Sequence, residues 1–405
     1  MHYSNDFIKE IPKSDLHLHL DGSIRLSSLL EMAKVSKLEL PSNTETGLSE
    51  LVFKDTYASL PEYLTGFKYT CGVLRDLENI ERAAYELAVD NQEDGVRYIE
   101  VRFAPQLLTN SALGITLEKV LQATADGLER AKKEYNKTIT SDEPHFDYGI
   151  ICCAMRMFGP ENFSPYYTNL FSVMKYTKAS QVISLAALEL VRAAVKIRDH
   201  KGIPIVGIDL AGQEEGYPAD NFKDAYEYAH KNFLSRTVHA GEAYGAESIF
   251  QAITECHADR IGHGYSLFMP DRIVDPLILD KKKYIKDLAS YIADRRTTIE
   301  VCLTSNLQTN PEIKTIRDHK FKDMLESRIA TTICTDNRLF SKTTVSKEYR
   351  LAVDNFDIPL KRLKDIVAYG FKKSFYLGSY VEKRDYAKKA MNYFDQIAIK
   401  HNITE

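Results

Sequence analysis

The chain has 405 residues, 44% of them hydrophobic and 27% charged, with a formal net charge of −4 at pH 7. That length fits one large α/β domain or two medium ones around a substantial core, and a near-neutral balance without a basic stripe gives no footing for nucleic acid. No stretch approaches a membrane-spanning apolar run, and the opening MHYSNDFIKEIPKSD has no apolar segment of the signal-peptide kind, so the expected compartment is the cytoplasm.

The first strand-like run, SDLHLHL (14–20), places His17 and His19 two residues apart. Side chains alternate along a strand, so both imidazoles face the same way, about 6–7 Å apart. They are spaced to meet one metal ion; two hydrogen-bonded core histidines would give the same pattern. Residues 21–95 are too long for a single connection and read as a helical cap inserted over a barrel mouth. Further short apolar runs follow at VRYIEVRF (96–103), DYGIICCAMR (147–156), PIVGIDLAG (204–212), RTVHAGE (236–242), DRIGHG (259–264), TTIEVCLTSN (297–306) and ATTICTDN (330–337). Stretches with helical periodicity lie between them, at 80–95, 117–135 and 186–202. Eight short strands alternating with helices predict an α/β fold, a (β/α)8 TIM barrel, with residues 1–405 forming one domain.

Each run is apolar through most of its length, as parallel strands buried on both faces are. Polar residues gather at the C-terminal ends: His17, His19 and Asp21, then Asp209, His239 and Glu242, His263, Ser305 and Asn306, and Asp336 and Asn337. In a parallel barrel these ends open on one face, where active sites are built. The loop TTICTDNRLFSKTT is too polar for plain core and is expected to face that site. Six cysteines (71, 152, 153, 256, 302 and 334) form no C-x-x-C pair and read as buried, reduced thiols. The H-x-E…P-C-x-x-C signature of cytidine-type deaminases is absent.

Three neutral imidazoles, His17, His19 and His239, with the Asp336 carboxylate suit Zn²⁺ or a similar divalent ion such as Fe²⁺. A metal held with one position open lowers the pKa of a coordinated water to about 7. Asp336 alone also fits a helix N-cap. Glu242, three residues beyond His239, fits a general acid kept protonated in a pocket, or an ordinary loop carboxylate. His263, between Gly262 and Gly264, fits a group that takes or steers a proton, or a core histidine. The remaining histidines (2, 145, 200, 230, 257, 319 and 401) read as surface or structural, and KKKY (281–284) as a solvated helix face.

Taken in order, KSDLHLHLDGSI, VRYIEVRFAP, GIDLAGQE, VHAGE, RIGHG and CTDN closely resemble the adenosine deaminase family of the metal-dependent amidohydrolase superfamily. The resemblance spans about residues 10–380. LPEYLTGFKYTCGVL (60–74) is similar to the family's substrate-gating segment, and ICCAMR (151–156) to its third strand. It implies one Zn²⁺ per chain held by His17, His19, His239 and Asp336. Glu242 matches the acid that protonates purine N1, and His263 the residue that orients the attacking water. The Gly212 N–H matches the group facing N3, and Asp21 the carboxylate at the ribose 5′-hydroxyl. The implied reaction is hydrolytic deamination of adenosine or 2′-deoxyadenosine, with a small purine nucleoside as the ligand.

Two departures stand out. Where the family usually has two adjacent acids, this chain has Asp336–Asn337; an amide donates to purine N7 without first being protonated, so Asn337 is expected to keep that contact. Segment 265–296 is longer than usual and is expected beside the mouth, where it would alter what sits beyond the ribose. The surrounding motifs resemble a bacterial branch, some of whose members act on 6-aminodeoxyfutalosine, the closest rival substrate. Adenine deamination and a catalytically silent binding role are further rivals. The strand ending in GIDLAG carries no lysine to bridge two metals, which favours a single ion. AMP is disfavoured by Asp21 unless Arg25 and Lys54 face the site.

Overall fold

Eight parallel strands follow one another around a single sheet: β1 (Lys13–His19), β2 (Val96–Phe103), β3 (Asp147–Met155), β4 (Ile205–Ala211), β5 (Ser235–Ala240), β6 (Arg260–His263), β7 (Thr298–Val301) and β8 (Thr331–Ile333). A parallel bridge between Leu18 and Asp336 brings the segment after β8 back against β1. The computed structural model describes residues 3–161, 163–310 and 312–403, so His2 lies outside it. Helices lie between the strands, giving the predicted (β/α)8 barrel. The strands are buried along nearly their whole length, which is why they read as continuous apolar runs.

The three predicted helices occupy Leu77–Glu93, Leu117–Asn136 and Ala179–Lys201. The first starts where the Asp76 side chain accepts the Glu78 and Asn79 N–H groups, and the second where Thr116 accepts from Lys119. Two predicted strands end early. β7 stops at Val301, and Leu303–Thr309 turns into a helix. Its first turn is held by Glu348, which accepts the Thr304 N–H at 3.1 Å and the Thr304 hydroxyl. That partner lies 44 residues downstream, beyond the reach of local periodicity. β8 stops at Ile333, and three residues on Asp336 takes φ 61°, a left-handed conformation, where it bridges to Leu18 of β1.

Between β1 and β2 lie five helices, Leu26–Ser36, Glu45–Leu51, Leu60–Leu64, Phe67–Val73 and Leu77–Glu93. Phe340, in the loop after β8, ties the middle of this insertion to the barrel. Its ring stacks on Phe67 at 4.5 Å and meets Phe53 edge-on at 5.0 Å. The long segment after β6 forms two 3₁₀ turns, Tyr265–Phe268 and Pro270–Arg272, and the helix Lys281–Arg295. Lys282 and Lys283 of KKKY are exposed, as expected of a solvated face. All six cysteines are buried and unpaired, and among the described residues no helix is long and apolar enough to cross a membrane.

Candidate active site

The strand ends converge as the pattern predicts. His17 and His19 come from β1, His239 from β5, and Asp336 from the turn after β8, and one ligand atom from each lies within 4.8 Å of all the others. His17 Nε2 and His239 Nε2 are 3.1 Å apart, and His19 Nε2 and His239 Nε2 are 3.4 Å apart. Asp336 Oδ1 is 3.4 Å from Nε2 of both His17 and His19. A tetrahedron of ligands at zinc–nitrogen distance has edges of roughly 3.3 Å. The observed spacings therefore match the shell of one ion.

The far sides of the rings decide what the near sides can do. His17 Nδ1 lies 2.9 Å from Glu300 Oε2, and His239 Nδ1 lies 2.9 Å from Asp209 Oδ2. An ionised carboxylate only accepts, so each Nδ1 carries the proton and each Nε2 presents a lone pair. Two lone pairs 3.1 Å apart repel unless a cation lies between them. Burial pulls the His17 pKa down, yet the Asp336 and Glu300 carboxylates outweigh it and leave it raised. The site thus draws positive charge even without an ion.

The supporting carboxylates belong to a buried charge network beneath the site. Arg102 donates from Nη1 to Asp209 at 3.0 Å and from Nη2 to Glu300 at 2.9 Å, and also reaches the Leu16 carbonyl. Arg260 Nε lies 2.6 Å from Glu300, and its Nη2 pairs with Glu100. The two guanidinium groups thus pair with three buried carboxylates, Glu100, Asp209 and Glu300, while Asp336 lies against the imidazoles of His17 and His19. Arg102, Arg260, Glu100 and Glu300 are absent from the sequence reading. Their signal was present, since a charged residue inside a buried strand needs a partner.

Glu242 follows β5 in a turn that another carboxylate builds. Glu214 accepts the N–H groups of Gly241, Glu242, Ala243 and Tyr244 at 2.7–3.1 Å, together with the Ser248 hydroxyl. Gly241 supplies the φ of 69° that starts the turn. Burial pushes the Glu242 carboxyl up to about 8, so it holds a proton at neutral pH. His263, at the end of β6, takes φ 64° and aims Nε2 to within 3.7 Å of Glu242 Oε1. Burial keeps its pKa well below the usual histidine range, so the ring is neutral.

Asp21, Gly212 and Asn337 line the same cavity as His19, His239, Glu242, His263 and Asp336. Most of the rest of its wall is apolar, with Leu60, Leu64 and Phe67 of the insertion and Met155, Met157 and Phe163, while Tyr63 and Gln213 add polar groups. Asp21 Oδ1 and Asn337 Oδ1 are buried without a hydrogen-bond partner. Gly22 lets the Asn337 amide lie against the backbone, since a Cβ there would sit 1.7 Å from Asn337 Oδ1. Arg25 and Lys54 do not enter the cavity: Arg25 pairs with Asp90 and Lys54 with Glu62 near the surface. Segment 265–296 supplies no lining residue either, against expectation. It braces the turn that carries Glu242 from outside the cavity: the Ser266 N–H and hydroxyl each donate to the Gly241 carbonyl at 2.8 Å, and Arg272 donates to the Glu242 carbonyl at 3.1 Å. His319, read as surface or structural, is buried, and its contacts lead to His263.

Comparison with known proteins agrees with this geometry. The family model described as adenosine deaminase matches residues 12–385. An adenosine deaminase of Mycolicibacterium vanbaalenii is 35% identical over 376 residues, covering 91% of this chain and 92% of that protein. A probable adenosine deaminase of Dictyostelium discoideum is 33% identical over 371 residues; the match takes in 91% of this chain but only 41% of that longer protein. Among solved structures, a zinc-bound amidohydrolase from Burkholderia ambifaria has a TM-score of 0.76 at 19% identity, covering 99% of this chain and 96% of that one. At that identity the likeness speaks for the fold.

Proposed function

The chain belongs to the adenosine deaminase family and is a hydrolytic purine deaminase, and on that premise we propose that it converts adenosine and 2′-deoxyadenosine to inosine and 2′-deoxyinosine in purine salvage. The observation that carries this reading is a buried carboxyl group, Glu242, sharing one cavity with the ligand cluster His19, His239 and Asp336. Zn²⁺ is the ion of choice for three imidazoles and a carboxylate, with His17, His19, His239 and Asp336 each giving one bond. When bound, it supplies a water acidic enough to act as a nucleophile at neutral pH.

The chain's own groups do the rest. Glu242 gives its proton to purine N1, which makes C6 electrophilic. The water oxygen bonds to C6 and the C6–nitrogen bond breaks; one of the water's two protons goes to the departing amino group, which leaves as ammonia, and the other restores the Glu242 acid. Ser305 donates to Asp336 Oδ2 at 2.6 Å, holding that carboxylate so that Oδ1 stays turned to the cluster. His263, in the same cavity, holds the water's oxygen. Asn337 donates to N7, the Gly212 N–H to N3, and Asp21 takes the ribose 5′-hydroxyl.

The Asp21 role sets the substrate class. Its Oδ1 lacks a donor and burial pushes the carboxyl up to about 7, so a ligand hydroxyl satisfies an acceptor that is otherwise stranded. A 5′-phosphate removes that hydroxyl proton and brings negative charge into a cavity lined by no lysine or arginine among the described residues. Inosine formation followed by ultraviolet absorbance, with adenosine, AMP and aminodeoxyfutalosine compared, tests this. Adenosine is expected to exceed AMP by at least roughly 10³-fold in kcat/KM, the scale of an uncompensated charge contact at an effective dielectric near 20. Equal turnover of AMP would overturn the 5′-hydroxyl assignment, and turnover of aminodeoxyfutalosine alone would move the function to menaquinone synthesis.

A further inference from the structure

Behind His263, on the side away from the ligand cluster, runs a chain of buried hydrogen bonds. The Phe321 N–H donates to His319 Nδ1 at 3.0 Å. His319 Nε2 lies 3.1 Å from Asn306 Oδ1, and Asn306 Nδ2 lies 3.1 Å from His263 Nδ1. His263, Asn306 and His319 are each no more than 2% exposed, so water does not substitute for any of these contacts. Resting on the reading of His263 as the group that contacts the attacking water, we infer that His319 and Asn306 are positioning residues that fix His263 as a hydrogen-bond donor at Nε2.

A backbone N–H can only donate, so His319 Nδ1 accepts. A neutral imidazole that accepts at Nδ1 carries its proton on Nε2, and that nitrogen donates to Asn306. The atom receiving it is therefore the Asn306 oxygen, which assigns the amide. With the amide reversed, His319 would have to accept at both nitrogens, which a neutral ring cannot do. The Asn306 NH₂ then points at His263 Nδ1, which accepts. His263 thus carries its proton on Nε2, toward Glu242 and the cavity.

The consequence is a division of labour. Of the two roles open to His263 in the sequence, taking a proton or steering it, the relay selects steering. A ring already protonated at Nε2 holds an oxygen lone pair and cannot take that oxygen's proton through the same nitrogen. Orientation comes from the helix after β7, which carries Asn306, and from His319, which lies between the 3₁₀ turn Ile316–Asp318 and the helix Phe321–Glu326, rather than from the metal cluster.

The test reads the tautomer directly. In zinc-loaded protein labelled with ¹⁵N-histidine, the ring signals of His263, assigned by their loss in His263→Gln, are expected to show a protonated Nε2 and an unprotonated Nδ1. His319→Gln keeps a donor facing Asn306 and is expected to hold kcat within a few-fold of the parent. His319→Leu removes the donor and is expected to lose roughly 10- to 100-fold in kcat at little-changed KM, with the His263 pattern altered. If His319→Leu does not fold, Asn306→Asp serves instead: a carboxylate accepts from both rings, so the His263 proton moves to Nδ1 and kcat falls. A parent spectrum with the proton on Nδ1, or an unaltered His263 pattern in the folded variants, overturns the inference. The spectrum requires no turnover, so an inactive protein with the expected tautomer would count against the deaminase reading and not against the relay.

Discussion

Glu242→Gln is expected to bind its metal normally and to lose roughly 10²–10⁴-fold in kcat, the usual contribution of a positioned acid. The amide keeps the size of the side chain and can still be placed by the Glu214 turn, so zinc content and melting temperature should stay near those of the parent. What it cannot do is release a proton to N1. The pH dependence follows from the same carboxyl. Burial pushes it up to about 8, and the acid form is the working form, so turnover falls as pH rises through its pKa. A dication on the neighbouring ligands draws that alkaline limb below 8. Stability moves in the matching direction. The folded chain keeps a proton that the unfolded chain releases above its ordinary value of 4.5, so this group subtracts stability as pH rises from 4.5 toward 8. Glu242→Gln removes that slope. Near-full turnover in the variant would take Glu242 out of the mechanism.

Arg102→Met is expected to be the most damaging single change to the fold outside the ligand cluster. The guanidinium is fully buried and bridges Asp209, Glu300 and the Leu16 carbonyl. Removing one partner of a buried ion pair leaves uncompensated charge and costs about 3–5 kcal/mol. Arg260 still meets Glu300, but Asp209 would lose its only guanidinium partner and keep the His239 imidazole, the Leu210 N–H and the weak Cys153 thiol contact. Arg102→Lys should recover only part of the loss, because a single ammonium does not reproduce the forked contact with two carboxylates. Equilibrium urea unfolding reads the effect, and a loss under about 1 kcal/mol would show that the network is not held together through Arg102. Metal affinity should fall with stability, since Asp209 and Glu300 set the tautomers of His239 and His17.

Much of this site is legible in the chain because a parallel barrel turns sequence order into geometry. Eight apolar runs ending in polar residues are enough to bring His17, His19, His239, Glu242, His263 and Asp336 to one mouth. The ligand set is legible because histidines two apart on a strand share a face. The parts that escaped have a common cause. Glu300 and Arg102 act from the strand interiors, where apolar neighbours made the runs look uniformly like core. His319 sits in an unremarkable polar stretch, and only the fold brings it to Asn306. The helix at Leu303–Thr309 depends on Glu348, and the break at Asp336 on a left-handed residue stitched to β1, its N–H on the His17 carbonyl and its carbonyl on the His19 N–H, both at 2.8 Å. Segment 265–296 looked like a specificity element from its length, but it lines none of the cavity and instead braces the Glu242 turn through Ser266 and Arg272.

The central claim is that one ion at the His17–His19–His239–Asp336 cluster supports deamination of a purine nucleoside. The most direct measurement is to strip the protein with a chelator and titrate Zn²⁺ back while following inosine formation from adenosine. The rate should be close to zero in the stripped protein, rise in proportion to added metal, and stop rising at one equivalent per chain. Full activity without metal, a break at two equivalents, or no inosine at any loading would contradict it.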